Sequence, residues 1–198
     1  MQVRELAIPG AFEFTPVQHG DDRGLFLEWF KVDQLRGAVG HPLELAQANM
    51  SVSKADTLRG IHFADVPPGQ AKYVTCPSGA VIDFIVDLRV GSPTFGVVDT
   101  VRLDTVDRRA VYLSEGLGHG FLALEDRSTL TYLCSTGYAP GREHGVDPLD
   151  PALGLPLPID VDFLLSEKDT TAPSLAEAIS GGLLPTWDAC REYIATLA

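Results

Sequence analysis

The chain has 198 residues, 45% hydrophobic and 21% charged, with a formal charge of −12 from 15 Lys+Arg against 27 Asp+Glu. That length suits one globular domain with at most a small appendage, and the hydrophobic share excludes global disorder. A chain this acidic lacks the basic face needed to bind nucleic acid or an anionic membrane surface, so neither is expected as a partner. No apolar run approaches the ~20 residues of a membrane span. The N-terminal Met1-Gln-Val-Arg-Glu-Leu lacks the basic-then-apolar order of a signal peptide. Cys76, Cys134 and Cys190 are odd in number, widely spaced and without a CxxC, so they read as buried apolar thiols. The chain is expected to be cytoplasmic.

Residues 1–147 carry short apolar runs broken by Gly, Pro and Asp. In chain order these are Leu25 to Phe30, Tyr73 to Cys76, Val81 to Leu88, Phe95 to Leu103, Ala110 to Leu113, Gly120 to Leu124 and Thr129 to Cys134. They are rich in Val, Ile, Phe, Tyr and Thr, which suit strands. Asp83 and Asp87, four apart, share one strand face with Ile85. Many strands with frequent turns predict a mainly β fold, an antiparallel sandwich or barrel. Fourteen prolines and nineteen glycines agree with that and disfavour a helical bundle. Residues 148–198 differ. Ser174 and Glu177 stand at capping-box spacing before a short helix, and Pro185 opens a second with an apolar stripe through Trp187, Cys190, Tyr193 and Ile194. These short C-terminal helices are expected to pack on the β part within a single unit, 1–198, since the tail is too short to fold alone.

Several side chains stand out chemically. His62 lies in Leu58-Arg59-Gly60-Ile61-His62-Phe63. Strict alternation puts Arg59 and His62 on opposite strand faces unless the backbone bends at Gly60. Lys72 sits in an otherwise apolar run, where a lysine reads either as part of a solvated face or as a cation for a developing oxyanion. His119 is flanked by glycines that permit close backbone approach. The His-x-His pattern of metal-binding barrels is absent, and two lone histidines are too few for zinc or iron, so no metal is expected. Tyr132 is mid-strand, and Asp169, taken alone, is an ordinary loop carboxylate. No nucleophile elbow, P-loop or GxGxxG is present.

Taken together, the strings resemble the dTDP-4-dehydrorhamnose 3,5-epimerase family and its antibiotic-pathway relatives. The likeness runs through Asp22-Arg23-Gly24-Leu25-Phe26-Leu27-Glu28, Gln47-Ala-Asn49-Met-Ser51 and Leu58-Arg59-Gly60-Ile61-His62. It continues through Gln70-Ala-Lys72-Tyr-Val, the Asp83 to Gly96 segment, Gly118-His119-Gly-Phe, Tyr132, Tyr138-Ala-Pro140 and Leu165-Ser-Glu-Lys168-Asp169. The resemblance implies a cupin-like, metal-free β-barrel or jelly roll that needs no cofactor and forms a homodimer with a shared active site. Its substrate would be a dTDP-linked 4-keto-6-deoxyhexose, epimerised at C3, C5 or both. It implies His62 as the base, Asp169 as its carboxylate partner, Lys72 facing the C4 ketone oxygen and Tyr132 as the opposite-face proton donor. Arg23, Glu28, Gln47, Asn49, Arg59, His119, Glu143 and Lys168 match nucleotide- or sugar-contacting positions, and Tyr138 matches a position that stacks near the nucleotide's base. The Arg23–Glu28 segment is implied to reach into the neighbouring subunit.

Met50, Phe63 and Ala64-Asp65 depart from the commoner family strings and leave open whether one carbon or two are inverted. A sugar-nucleotide 3,4-ketoisomerase, a non-catalytic sugar-nucleotide-binding cupin and a metal-dependent oxygenase are the competing readings. Residues 148–198 hold eight acids and two bases, so the tail carries half the charge in a quarter of the length. Arg23, Arg59, Lys72 and Lys168 are therefore expected to gather in a locally basic cleft, since local potential rather than total charge governs binding.

Overall fold

The computed structural model describes residues 1–197. The chain opens with strands β1 (Gln2–Glu5), β2 (Ala11–Thr15), β3 (Gln18–Asp21) and β4 (Gly24–Leu27), then helix α1 (Val32–Val39). Strands β5 (Gln47–Ser53), β6 (Leu58–Ala64), β7 (Lys72–Ser78), β8 (Ala80–Val86) and β9 (Val98–Asp104) follow. The β part ends with β10 (Ala110–Leu113), β11 (Gly118–Ala123), β12 (Ser128–Cys134) and β13 (Glu143–Gly145). Helices α2 (Glu167–Thr170), α3 (Leu175–Ser180) and α4 (Trp187–Ala195) close the chain. None of them is long and apolar enough to cross a membrane.

The strands form two antiparallel sheets ordered β1-β2-β10-β7-β12-β5 and β13-β6-β11-β8-β9, a cupin-like barrel, with β3 and β4 pairing only with each other. Val74, Val81, Ile85, Val111, Phe121 and Leu130 fill the space between the sheets. Both sheets are also covered outside. Leu35 and Leu43 pack beside Tyr73 and Tyr112 on the six-stranded sheet, and Leu153, Leu175, Ala178 and Leu184 pack beside Phe84 and Val86 on the five-stranded one. A strand buried on both faces needs apolar residues at nearly every position, which is why β10 reads as a continuous apolar run and β8 as one broken only by Asp83.

Some boundaries differ from the sequence reading. β4 stops at Leu27 because Trp29 and Phe30 turn into the α1 core, where both rings meet Tyr73. Phe95 belongs to the turn before β9. Asp87 lies just beyond β8, where its carboxylate binds the fully buried Arg89 guanidinium at 2.8 Å and accepts from Ser92 and Thr94. The Ser174–Glu177 capping box forms, and all three cysteines are free and buried.

Glu115 sits buried in the turn between β10 and β11, with Oε2 unpartnered and Oε1 3.5 Å from the Ser135 hydroxyl. Burial pushes its carboxyl up, against the opposing pull of His41 and Ser135. A raised folded value means the native state holds the proton longer than the unfolded chain. Stability therefore falls as pH rises from the ordinary carboxylate range to that raised value. Glu115→Gln lacks this term, so its thermal-unfolding margin over wild type should grow with pH across that window, by up to about 1.4 kcal/mol per pH unit. A margin that stays flat with pH would contradict this.

Candidate active site

The site begins with an irregularity in β6. Leu58, Ile61 and Phe63 all pack in the outer core, although positions 58 and 61 differ in parity. Between the pairs Phe121↔Arg59 and His119↔His62, β6 has two residues where β11 has one. This is a bulge, and it turns Arg59 and His62 to the same inner face. Gly60, at φ +116°, is its pivot. A Cβ there would lie 2.6 Å from Gly120 Cα and 2.7 Å from the His119 carbonyl, so no side chain fits.

Both residues line a cavity of about 150 Å³ with Lys72 of β7, Tyr132 of β12, His119 and Phe121 of β11 and Ser51 of β5. His62 Nε2 is 2.6 Å from Asp169 Oδ1. With Nε2–H donating to the carboxylate, Nδ1 is left as the basic nitrogen. Asp169 is buried on α2 and accepts from the hydroxyl of Ser166, the residue that caps that helix. Burial opposes its ionisation, but the bonds from His62 and Ser166 and the nearby Lys168 outweigh it and hold the carboxyl below its ordinary range.

A second dyad stands beside the first. His119 Nε2 is 2.7 Å from Asp83 Oδ1, and His119 pairs directly across from His62. The Lys72 side chain makes no ion pair or hydrogen bond among the described residues. Burial pushes its ammonium down, while Cys134, Glu143 and Asp83 act in the opposite sense. Burial raises the Tyr132 phenol, which keeps it protonated. An imidazole, an unpaired lysine and a protonated phenol thus face one small compartment.

The remaining sequence candidates divide. Gln47 and Asn49 follow Ser51 along the inner face of β5, bonded to each other at 2.8 Å, and Gln47 Oε1 accepts from the Tyr138 backbone N–H. Glu143 Oε1 accepts from the Ala139 N–H. Tyr138 and Lys168 are exposed. Arg23 pairs with Asp21, and Glu28 with Lys31, on the exposed β3–β4 hairpin and just after it, away from the cavity. Of the four basic residues expected to gather, Arg59 and Lys72 line the cavity, Lys168 stands within electrostatic reach of Lys72 and Asp169, and Arg23 stands apart within one chain. Sequence reasoning passed over Asp83 as the partner of His119, although a carboxylate amid Val81-Ile-Asp-Phe-Ile was a signal. It also passed over Ser166 and Ser51, for which small polar residues give none.

Comparison with known proteins matches the family model described as dTDP-4-dehydrorhamnose 3,5-epimerase over residues 5–177. The chain belongs to that family. It is 56% identical over 197 residues to the dTDP-4-dehydrorhamnose 3,5-epimerase of Mycolicibacterium smegmatis, covering 100% of this chain and 97% of that one. It is 58% identical over 191 residues to the dTDP-4-dehydrorhamnose 3-epimerase of Streptomyces niveus, covering 96% and 92%. The crystal structure of ChmJ, a 3'-monoepimerase from Streptomyces bikiniensis in complex with dTDP-quinovose, matches with a TM-score of 0.94 at 51% identity, covering 97% of each chain. Membership makes this chain an isomerase of the sugar-nucleotide epimerase class. The departures at Met50 and Phe63 do not enter the reacting compartment: Met50 points outward and is 68% exposed, and Phe63 is packed in the outer core. Neither touches the reacting groups within the chain.

A depressed folded carboxyl contributes stability that is present above the ordinary carboxylate range and lost as pH falls through the depressed value. Wild type should therefore outlast Asp169→Asn in thermal unfolding near neutrality, with the difference closing as the solution is acidified. A pH-independent difference would show that the dyad does not hold Asp169 ionised.

Proposed function

We propose that the chain inverts C3 of a dTDP-linked 4-keto-6-deoxyhexose, with C5 as a second centre. C3 is common to the names of both relatives above. The observation that carries the reading is the convergence of His62, Lys72 and Tyr132, from three strands of both sheets, on one compartment with Asp169 behind the base. At about 150 Å³ it is smaller than the ~300–1,000 Å³ typical of a ligand pocket. That suits one sugar ring, with the nucleotide outside toward Gln47 and Tyr138.

His62 Nδ1 takes the C3 proton. The C–H electrons form a C3=C4 bond, and the C4 carbonyl electrons move to oxygen. Lys72 meets that enolate oxygen, where a single well-aimed donor is worth about 3 kcal/mol. Tyr132 returns a proton to C3 from the other face, the ketone re-forms, and solvent restores both groups. Asp169 orients the imidazole and stabilises its cation.

Incubation with substrate in deuterated water should place deuterium at C3, and deuterium at C5 as well marks double inversion. A moved carbonyl would indicate ketoisomerisation, and no incorporation at either carbon would refute the reading. His62→Ala should abolish exchange. Tyr132→Phe should retain some exchange while losing inverted product.

The site is completed by a second copy of the chain. β5 is inside-out: its inner face is polar, while Met50 and Val52 point outward, 68% and 57% exposed. These residues continue into an apolar groove of about 720 Å³, lined by Leu25, Phe26, Trp29, Met50 and Leu133. A monomer seldom leaves so large an apolar face and a sheet edge open. In a two-fold dimer the hairpin of one subunit brings Arg23 to the cavity of the other. Co-expressed Arg23→Ala and His62→Ala chains, each inactive alone, should then recover about one quarter of wild-type activity by random pairing. No recovery would place the whole site in one chain.

A further inference from the structure

Two of the departures from the family pattern meet at one residue that the proposed mechanism does not use. His144 lies on β13, directly across from Phe63, with the two rings 5.6 Å apart. Its Nε2 is 2.7 Å from Asp65 Oδ1, just past the end of β6. The Asp65 backbone N–H also donates to the Arg142 carbonyl at 2.9 Å, and the Arg142 guanidinium donates to the Pro67 carbonyl.

What this pair holds is the nucleotide side of the mouth. β13 is a three-residue edge strand, and such a strand has few ladder bonds of its own. Its Glu143 is adjacent to His144 and, by the alternation of a strand, faces the other way. Glu143 anchors Ala139 at 3.3 Å, one residue after Tyr138. Gly145 lies opposite His62, and a Cβ on it would meet the imidazole at 3.5 Å. β6 therefore carries the base on its inner face and, at its end, one half of a clamp on the segment that carries Tyr138 and Glu143.

We propose that His144 and Asp65 are a pair of positioning residues that set Tyr138 and Glu143 for the nucleotide half of the substrate. This rests on the nucleotide lying at that end of the site, as read above. The hydrogen bond from Nε2–H to the carboxylate forms with the ring neutral or charged, so the clamp works in both states. The pair touches no reacting atom, and its effect falls on binding rather than on proton transfer.

The test is a double-mutant cycle read with unreacted dTDP. His144→Ala and Asp65→Ala should each weaken dTDP binding about three- to fivefold, in line with a partly exposed ion pair, and the double variant should lose no more than either single one. KM for the 4-keto substrate should rise by the same factor with kcat within twofold of wild type. Asp65→Asn, which keeps an acceptor for Nε2–H, should restore most of the affinity. Unchanged dTDP affinity in the single variants, losses that add in the double, or a fall in kcat at constant KM would each overturn the clamp. Failure of wild type to bind dTDP at all would instead overturn the placement of the nucleotide, and the clamp with it.

Discussion

The contact between Gly60 and Gly120 is the constraint on which the site depends. Two neighbouring strands approach there without side chains, and the space saved is taken by an extra residue in β6. Under strict alternation Arg59 would follow the parity of Ile61 and Phe63 and drive a guanidinium into the outer apolar core. Burying an unpaired charge that way costs several kcal/mol. The bulge removes the conflict and puts a cation and a base side by side. It also sets His62 opposite His119, so the two His–Asp dyads stand side by side although the second is built by the regular β11–β8 pairing.

A second constraint is the period of two along β5. The strand supplies Gln47, Asn49 and Ser51 to the interior, so Ala48, Met50 and Val52 must face out. The outward set is apolar, and it borders the groove beneath the hairpin that carries Phe26. A single strand thus lines the cavity with one face and borders the apolar groove with the other. A change on one face that shifts the register by one residue would exchange both sets at once. That division gives the departure at Met50 its physical place, in the outward face rather than in the cavity.

How much was legible in the sequence follows from which interactions are local. Runs rich in Val, Ile and Phe revealed β8, β10 and β12, and the Ser174–Glu177 spacing revealed a real cap, because those signals are set by neighbours in the chain. β5 and the three-residue β13 went unread: the one is polar on its inward side, and the other is held by β6 rather than by propensity. His62, Lys72, Tyr132 and Asp169 were named from the family resemblance, not from their spacing. The residues themselves carried only a hint, the parity conflict at Arg59 with Gly60 as its resolution. The 107-residue separation of His62 and Asp169 has no local signature, and Asp83 was noticed only as a carboxylate on a strand. Long-range partners of this kind become visible only once the sheets are assembled.

The acidity of the chain takes on a different meaning inside the cavity. Burial acts on Lys72 and Tyr132 in opposite senses, lowering the one and raising the other. For the mechanism proposed above the shift in Tyr132 is favourable, because the phenol stays loaded. The shift in Lys72 works against an electrostatic catalyst, because a neutral amine cannot stabilise an enolate by charge. Glu143 and Asp83 pull the other way and favour the ammonium without an ion pair to either being made. Carboxylates placed near the lysine but not on it oppose the effect of burial and of Lys168 while leaving the hydrogen bonds of its side chain unspent. A direct salt bridge would have opposed the loss of charge more strongly, but it would have spent the donors that the proposed mechanism directs at the enolate oxygen.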